Sequence, residues 1–163
     1  MWQPLSGNLW SAGNIGKVWS RGTEVNATFQ YKVRNFSFRI QSALSMLQST
    51  QEVSRNKYDS SAGKQLVYIP RITQQHRLYL SFKNYYFSYL QLYTGLRFTT
   101  SDNSEFLNDY SLANMKAGYS IKWNKIIMLL SAEINNAWNV SYQVIRDRAM
   151  PGRNFGFGIT IKI

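Results

Sequence analysis

The chain holds one histidine, His76, and no cysteine in 163 residues. That inventory excludes thiolate metal sites and disulfides, and one imidazole cannot build a histidine-based metal centre. Carboxylates number 8 and are scattered singly. No nucleophile stands with a base and an orienting partner, and a single histidine leaves little acid–base capacity near neutral pH. The expectation is a protein that is not an enzyme and uses no metal or cofactor. The remaining chemical capacity is cationic: 19 Lys and Arg give a formal charge of +11. Arg55, Lys57, Lys64, Arg71, Arg146, Arg148 and Arg153 fall in long polar stretches, where they would suit an anionic ligand or an acidic surface. Elsewhere the basic residues occur singly, with no run or helical stripe, which argues against a nucleic-acid partner.

The elements that must carry these cations have a period of two. The tail, "NFGFGITIKI", sets Phe155, Phe157, Ile159, Ile161 and Ile163 against Asn154, Gly156, Gly158, Thr160 and Lys162. Such alternation predicts a strand with one apolar face. Six earlier segments repeat it. The first has Val25, Ala27, Phe29, Tyr31 and Val33 in phase. The second has Phe36, Phe38, Ile40, Leu44 and Met46, interrupted at Ser42. The third has Leu78, Leu80 and Phe82, and the fourth Leu90, Leu92, Leu96 and Phe98. Ala113, Met115, Ala117, Tyr119, Ile121 and Trp123 make the fifth. Ile126, Met128, Leu130, Ala132 and Ile134 make the sixth. No segment shows a 3.6-residue period, so the chain reads as all-β. Each is close to the ~9–11 residues a tilted strand needs to cross a bilayer, whereas no stretch approaches the ~20 apolar residues of a membrane helix.

Connections alternate strictly in length. Arg34-Asn35, the Asn84 region and the Asn124 region are tight turns of favoured composition, while the other connections are long and polar. All short turns therefore gather at one end and all long ones at the other, as in outer-membrane barrels. Charge follows the same logic. Glu24, Lys32, Arg39, Arg77, Lys83, Arg97, Lys116, Lys122, Glu133 and Lys162 all avoid the apolar phase. Aromatic residues cluster at segment ends: Tyr31, Phe36, Phe82, Tyr85, Tyr86, Phe87 and Trp123 near the tight turns, and Phe98, Tyr110, Trp138, Tyr142 and Phe155 near the long ones. Two such girdles suit rings resting at bilayer interfaces. The fold class expected is an antiparallel meander of about seven transmembrane strands, a segment of a large outer-membrane β-barrel.

The tail also carries a motif. Gly158, Ile161 and Ile163 occupy the positions of the carboxy-terminal signal of outer-membrane barrels, although Ile163 replaces the usual terminal aromatic residue. Asn135, Asn136, Trp138 and Tyr142, followed by Met150, Pro151, Gly152 and Arg153, resemble the end of a TonB-dependent outer-membrane receptor. "NIGKVWSRGTE", "LVYIPR" and "DYSLANMKAGY" resemble segments leading into barrel strands of the same family, so the likeness covers nearly the whole chain. It looks closer to the cobalamin and siderophore branch than to the glycan-import branch.

That resemblance implies energised import of a scarce ligand across the outer membrane of a Gram-negative bacterium. This chain would supply barrel wall and outer loops. Residues 1–21 would form an extracellular loop leading into the barrel, and 22–163 its carboxy-terminal strands; the plug domain and TonB box are not found within the chain. Implied partners are outer-membrane lipid and lipopolysaccharide, the barrel assembly machinery, the rest of the receptor, and TonB through the plug. The ligand-binding candidates are Arg55, Lys57, Arg146, Arg148 and Arg153. Two other architectures fit the alternation: a complete eight-stranded barrel using "GNLWSAGNIGKVWS" as a further strand, with a structural or adhesive role, and a soluble β-sandwich that binds a sugar or protein. "WQPLSGNLW" after Met1 lacks the basic start and apolar core of a signal peptide.

Overall fold

The computed structural model describes residues 2–4, 10–12, 16–54 and 59–162. Seven long strands form one antiparallel sheet: β3 (Val18–Val33), β4 (Phe36–Gln51), β5 (Ile72–Phe82), β6 (Tyr85–Thr94), β9 (Tyr110–Trp123), β10 (Ile126–Asn135) and β13 (Asn154–Lys162). They lie side by side in chain order, a pure meander. Three small hairpins accompany them: β1 (Trp2–Pro4) with β2 (Trp10–Ala12), β7 (Arg97–Phe98) with β8 (Phe106–Leu107), and β11 (Gln143–Ile145) with β12 (Arg148–Ala149). The all-β meander expected from the alternation is what the chain forms, and among the described residues no second sheet packs on it, so the sandwich alternative does not apply. Trp10–Ala12, in the stretch weighed as an eighth barrel strand, pairs with Trp2–Pro4 and not with the large sheet.

Three two-residue turns join β3 to β4, β5 to β6 and β9 to β10, and each bends at a first residue with positive φ. These are Arg34 (+48°), Lys83 (+52°) and Asn124 (+53°). Only one is the asparagine that favours this conformation; the arginine and lysine accept a cost of about 1–2 kcal/mol each. The sheet register imposes what the turn residues do not prefer.

Register also decides which side chains share a face, because directly paired residues point the same way. One row runs Phe29, Ile40, Leu78, Tyr89, Met115, Ile134 and Phe155 across all seven strands. Another runs Tyr31, Phe38, Leu80, Phe87, Ala117, Ala132 and Phe157. The apolar phases read for six segments therefore combine into one continuous face. The fourth segment needs correction. Leu90 pairs with Arg77 and Leu92 with Gln75, so both leucines belong to the polar face, and the apolar face of β6 is Tyr85, Phe87 and Tyr89. Two leucines outweighed the alternating aromatics in the sequence reading. Leu96 and Phe98 lie beyond β6, with Phe98 in β7.

Burial is inverted relative to a water-soluble domain. The largest apolar side chains are the most exposed, with Phe157 at 87% and Trp123 at 75%, whereas Gln65, Arg97 and Asn136 are buried. The interruption at Ser42 has a local reason. Ser42 pairs across the ladder with His76, and the Ser42 hydroxyl and His76 Nδ1 lie 2.9 Å apart in a hydrogen bond. Neighbouring on the same face, the Tyr89 hydroxyl donates to Gln91 Oε1 (2.6 Å) and Gln91 Nε2 donates to the Ser111 hydroxyl (2.9 Å). These polar groups on the apolar face are thus bonded to one another.

The reassigned face of β6 is testable by charge. In a membrane-inserted barrel Tyr89→Arg, nearer mid-height in the row of Phe29, should destabilise by about 2–4 kcal/mol, and Leu90→Arg by under about 1 kcal/mol. Urea titration of the protein in lipid vesicles measures both; equal costs would contradict the assignment.

Candidate functional site at the long-loop end

Three connections, residues 52–71, 95–109 and 136–153, meet at the end opposite the tight turns, and polar side chains hold them together. Gln65 stitches the first to the sheet. Its Oε1 accepts from the Ser49 amide (3.0 Å) and its Nε2 donates to the Ile69 carbonyl (3.3 Å). Gln65 also binds the second connection through its backbone: its amide donates to Asn103 Oδ1 (3.0 Å) and its carbonyl accepts from Asn103 Nδ2 (2.9 Å). Asn103 occupies φ +61°, a conformation asparagine tolerates better than most residues.

Arg97 joins the second connection to the third. Nη1 donates to the Gln143 carbonyl (3.1 Å) and Nη2 to the Asn108 carbonyl (2.7 Å), while the guanidinium lies 4.7 Å from the Tyr110 ring centre. Only 3% of Arg97 is exposed. Carbonyls and an aromatic face, rather than a carboxylate, compensate this buried charge. Tyr110 packs on Tyr142 with centroids 4.6 Å apart. Burial, and then the Tyr110 neighbour, raise the Tyr142 phenol above its usual value. Tyr110 and Tyr142 therefore belong to the loop packing, which corrects their placement in a second aromatic girdle at a bilayer interface. Phe98 likewise sits in β7 of this cluster. Trp138 and Phe155 do stand exposed.

The family-motif residues converge as a polar knot. Asn136, buried at φ +50°, receives a bond from the Val140 amide at Oδ1 (2.9 Å) and donates from Nδ2 to the Val140 carbonyl (2.8 Å) and the Pro151 carbonyl (3.4 Å). Its own amide donates to Asn114 Oδ1 (2.9 Å). Asn135 Nδ2 donates to Asn154 Oδ1 (3.1 Å), and Asn139 Oδ1 accepts from the Arg153 amide (2.9 Å). A Cβ on Gly152 would stand 2.8 Å from that same Asn139 oxygen, so a larger residue would push the Asn139 side chain from its bond. The sequence order of Asn135, Asn136, Tyr142, Pro151, Gly152 and Arg153 acquires a physical reason: these residues close the last long connection onto the entry of β13.

The cationic candidates do not act as one group. Arg146 forms an ion pair with Glu105 and lies 3.8 Å from Asp147. Arg148 and Arg153 are exposed, with no ion-pair partner among the described residues. Arg55 and Lys57 lie outside the described residues, as does Ile163 of the terminal signal. Gly158 and Ile161 lie in β13, which is paired on one side to β10 and open on the other. A Cβ at Gly158 would stand 3.0 Å from the Ser131 hydroxyl.

One feature escaped the sequence reading. A hollow of about 310 Å³ opens on the polar face, lined by Glu24, Asn26, Ser45, Gln75, Thr94 and Tyr110, among others. Five strands contribute to it, so that face is concave. No Lys or Arg lines it. Glu24 accepts from the Ser45 hydroxyl at 3.5 Å. The available signal was the run of small and amide side chains in the non-apolar phase. Among the described residues no cluster of three or more His, Asp or Glu could hold a metal ion.

An apolar face on one side, a concave polar face on the other and alternating short and long connections together define a segment of an outer-membrane-type β-barrel wall. A family model described as "TonB dependent receptor-like, beta-barrel" matches residues 2–137, and the chain belongs to that family. A search of the curated proteins returns no match. Among solved structures, the chain is similar to that of BauA, the ferric preacinetobactin receptor from Acinetobacter baumannii. The TM-score is 0.59 at 12% identity, over 88% of this chain and 26% of that one. The chain thus spans about a quarter of that receptor's length, and at this identity the likeness concerns the fold.

Two outcomes follow from the loop packing. Asn136→Ala should cost about 1–3 kcal/mol locally, because buried backbone and amide partners are left unsatisfied. Hydrogen exchange should accelerate across 136–153 while β9 and β10 stay protected; unchanged exchange would contradict the role given to Asn136. Asp102 supplies a pH test. Bonds from Thr100, from the Ser104 hydroxyl and from the Ser104 amide lower its carboxyl from 3.8 to about 2. A depressed carboxylate stabilises the turn above the unfolded value, and that contribution fades as pH falls from about 4 through about 2. The Ser104 amide should lose exchange protection in that window, and Asp102→Asn should remove the dependence.

Proposed function

We propose that this chain forms part of the wall and the outer loops of a TonB-dependent receptor that imports a scarce ligand, such as a siderophore or cobalamin, across the outer membrane of a Gram-negative bacterium. The observation that carries this is the single continuous face of exposed Phe, Tyr, Ile, Leu and Met across seven strands, in a chain of this family. Such a face is stable against hydrocarbon and a liability in water.

In this reading the tight turns face the periplasm and the stapled long connections face the medium. The polar hollow borders the lumen. Strands and a plug from outside this stretch complete the barrel, and TonB acts through that plug. Residues 22–163 supply the strands, together with the start of β3 at Val18; residues before it lead in from outside. Gly158, Ile161 and Ile163 present the last strand to the assembly machinery, and β13 joins a further strand along its open edge. Ligand capture falls to the outer loops, where Arg148 and Arg153, with Arg55 and Lys57, favour an anionic chelate. The BauA likeness supports the siderophore branch through fold only.

Deleting this stretch from the chromosomal gene and following uptake of labelled ferric siderophores and cobalamin tests the proposal. Loss of uptake of one such ligand, restored by the intact gene, is expected. Unaltered uptake of all of them, with the intact protein absent from the outer-membrane fraction, would overturn it.

A further inference from the structure

The apolar face of the long strands carries one polar row. Ala27, Ser42, His76, Gln91 and Ala113 lie in register across five strands, and Gln74 stands two residues further along β5 on the same face. Ser42, His76 and Gln91 are each six residues from the tight-turn ends of their strands, Phe36, Phe82 and Tyr85. At about 3.3 Å per residue and a tilt of about 40°, that places them roughly 15 Å above the tight-turn boundary. The hydrocarbon layer is about 30 Å thick, so the row lies near its middle.

The sheet satisfies only part of this row, through the Ser42–His76 and Gln91–Ser111 bonds. His76 uses Nδ1 there, and its Nε2 has no partner among the described residues. The side-chain amide of Gln74 has none among them either. Hydrocarbon can bond neither group, and leaving them unpaired in it is costly. What covers them at this depth is therefore protein. The five rows from Val25–Leu44–Gln74–Tyr93 to Val33–Phe36–Phe82–Tyr85 contain no Lys, Arg, Asp or Glu, so a charged partner would find no counter-ion. The patch offers neutral groups that work in both directions. An amide donates and accepts, and an imidazole Nε2 does one or the other according to its tautomer. Such a set complements itself. A two-fold axis along the membrane normal preserves depth and sets β5 against β5 of a second copy, so His76 and Gln74 meet the same pair.

We propose that β4, β5 and β6 form a lateral interface between two copies of the receptor within the outer membrane, with His76 and Gln74 hydrogen-bonded across the two-fold axis. Ile40, Leu78 and Tyr89, the next row on the same face, supply the apolar contact beside those bonds. The inference rests on the barrel reading above and adds a self-association surface to it.

The test uses the whole receptor in outer membranes, expressed as two copies with different epitope tags, its folded state established by a heat-modifiable band. Leu78→p-benzoylphenylalanine, a photoreactive substitution beside His76, is activated by light. Capture through one tag should recover the other in a cross-linked product of twice the receptor's mass. The same substitution at Ile159, on the same face of β13, should give no such product. His76→Leu combined with Gln74→Leu should keep the heat-modifiable band, because leucine suits lipid. It should lower the Leu78 product at least about tenfold, because the bonds across the axis are gone. Absence of the doubly tagged product at 78, or equal yields at 78 and 159, overturns the interface. A product joining one receptor to a different protein overturns it too, as does a folded double variant that keeps the full yield. A receptor with no heat-modifiable band overturns the barrel reading together with this one.

Discussion

Hydrocarbon offers no hydrogen-bond partner to a peptide group, and the rest of the structure depends on that constraint. Every strand that crosses the core must satisfy its backbone against a neighbour, because each unmet group costs several kcal/mol there. The meander answers this for the five inner strands, which are paired on both sides. β3 and β13 are each paired on one side only. Their free edges are the reason a seven-stranded sheet reads as part of a wall. The same constraint explains why register outranks turn preference, with Arg34 and Lys83 held at positive φ while the ladder beyond them stays unbroken.

Stability is then distributed in an unusual way. The lipid-facing rows gain their burial from the membrane, so the chain needs little core of its own; Val67 and Ala113 are the buried apolar residues among those described. Specific internal packing is reserved for the long-loop end, where water is present and ordering must come from the protein. Asn103 and Arg97 bridge connections by bonding the Gln65 backbone and the Gln143 carbonyl, while Gln65 ties its own connection to β4 and Asn136 closes the last connection on itself. Three long loops become one shaped surface. A ligand-capturing face benefits from such ordering, because loops fixed beforehand lose less entropy on binding.

The strands were legible in the sequence because a two-residue period, with every charge but Arg21 kept off the apolar phase, survives any tertiary arrangement. β6 shows the limit. Tyr85, Phe87 and Tyr89 alternate with Tyr86, Ser88 and Leu90, so both phases contain large residues, and only pairing to Arg77 and Gln75 settles the face. The loop contacts were not legible, since Gln65 and Asn103 are distant in sequence and carry no periodic signal. Arg97 lies in the small β7–β8 hairpin, outside the large sheet, so strand phase says nothing about it, and nothing in its neighbours announces burial beneath two carbonyls. The Asn135–Arg153 motif was visible as an ordered set, and its geometry explains that order. Arg21 escaped the reading because it lies just before the segment where alternation was traced.

The central claim is that one face of this sheet meets lipid and the other meets water. Nitroxide labels placed singly from residue 111 to 123 of β9, in the receptor reconstituted in bilayers, measure it most directly by their relative access to oxygen and to a water-soluble nickel chelate. The account predicts oxygen preference at 115, 117, 119 and 121, alternating with nickel preference at 114, 116, 120 and 122. Inverted phases, or access without a two-residue period, would contradict it.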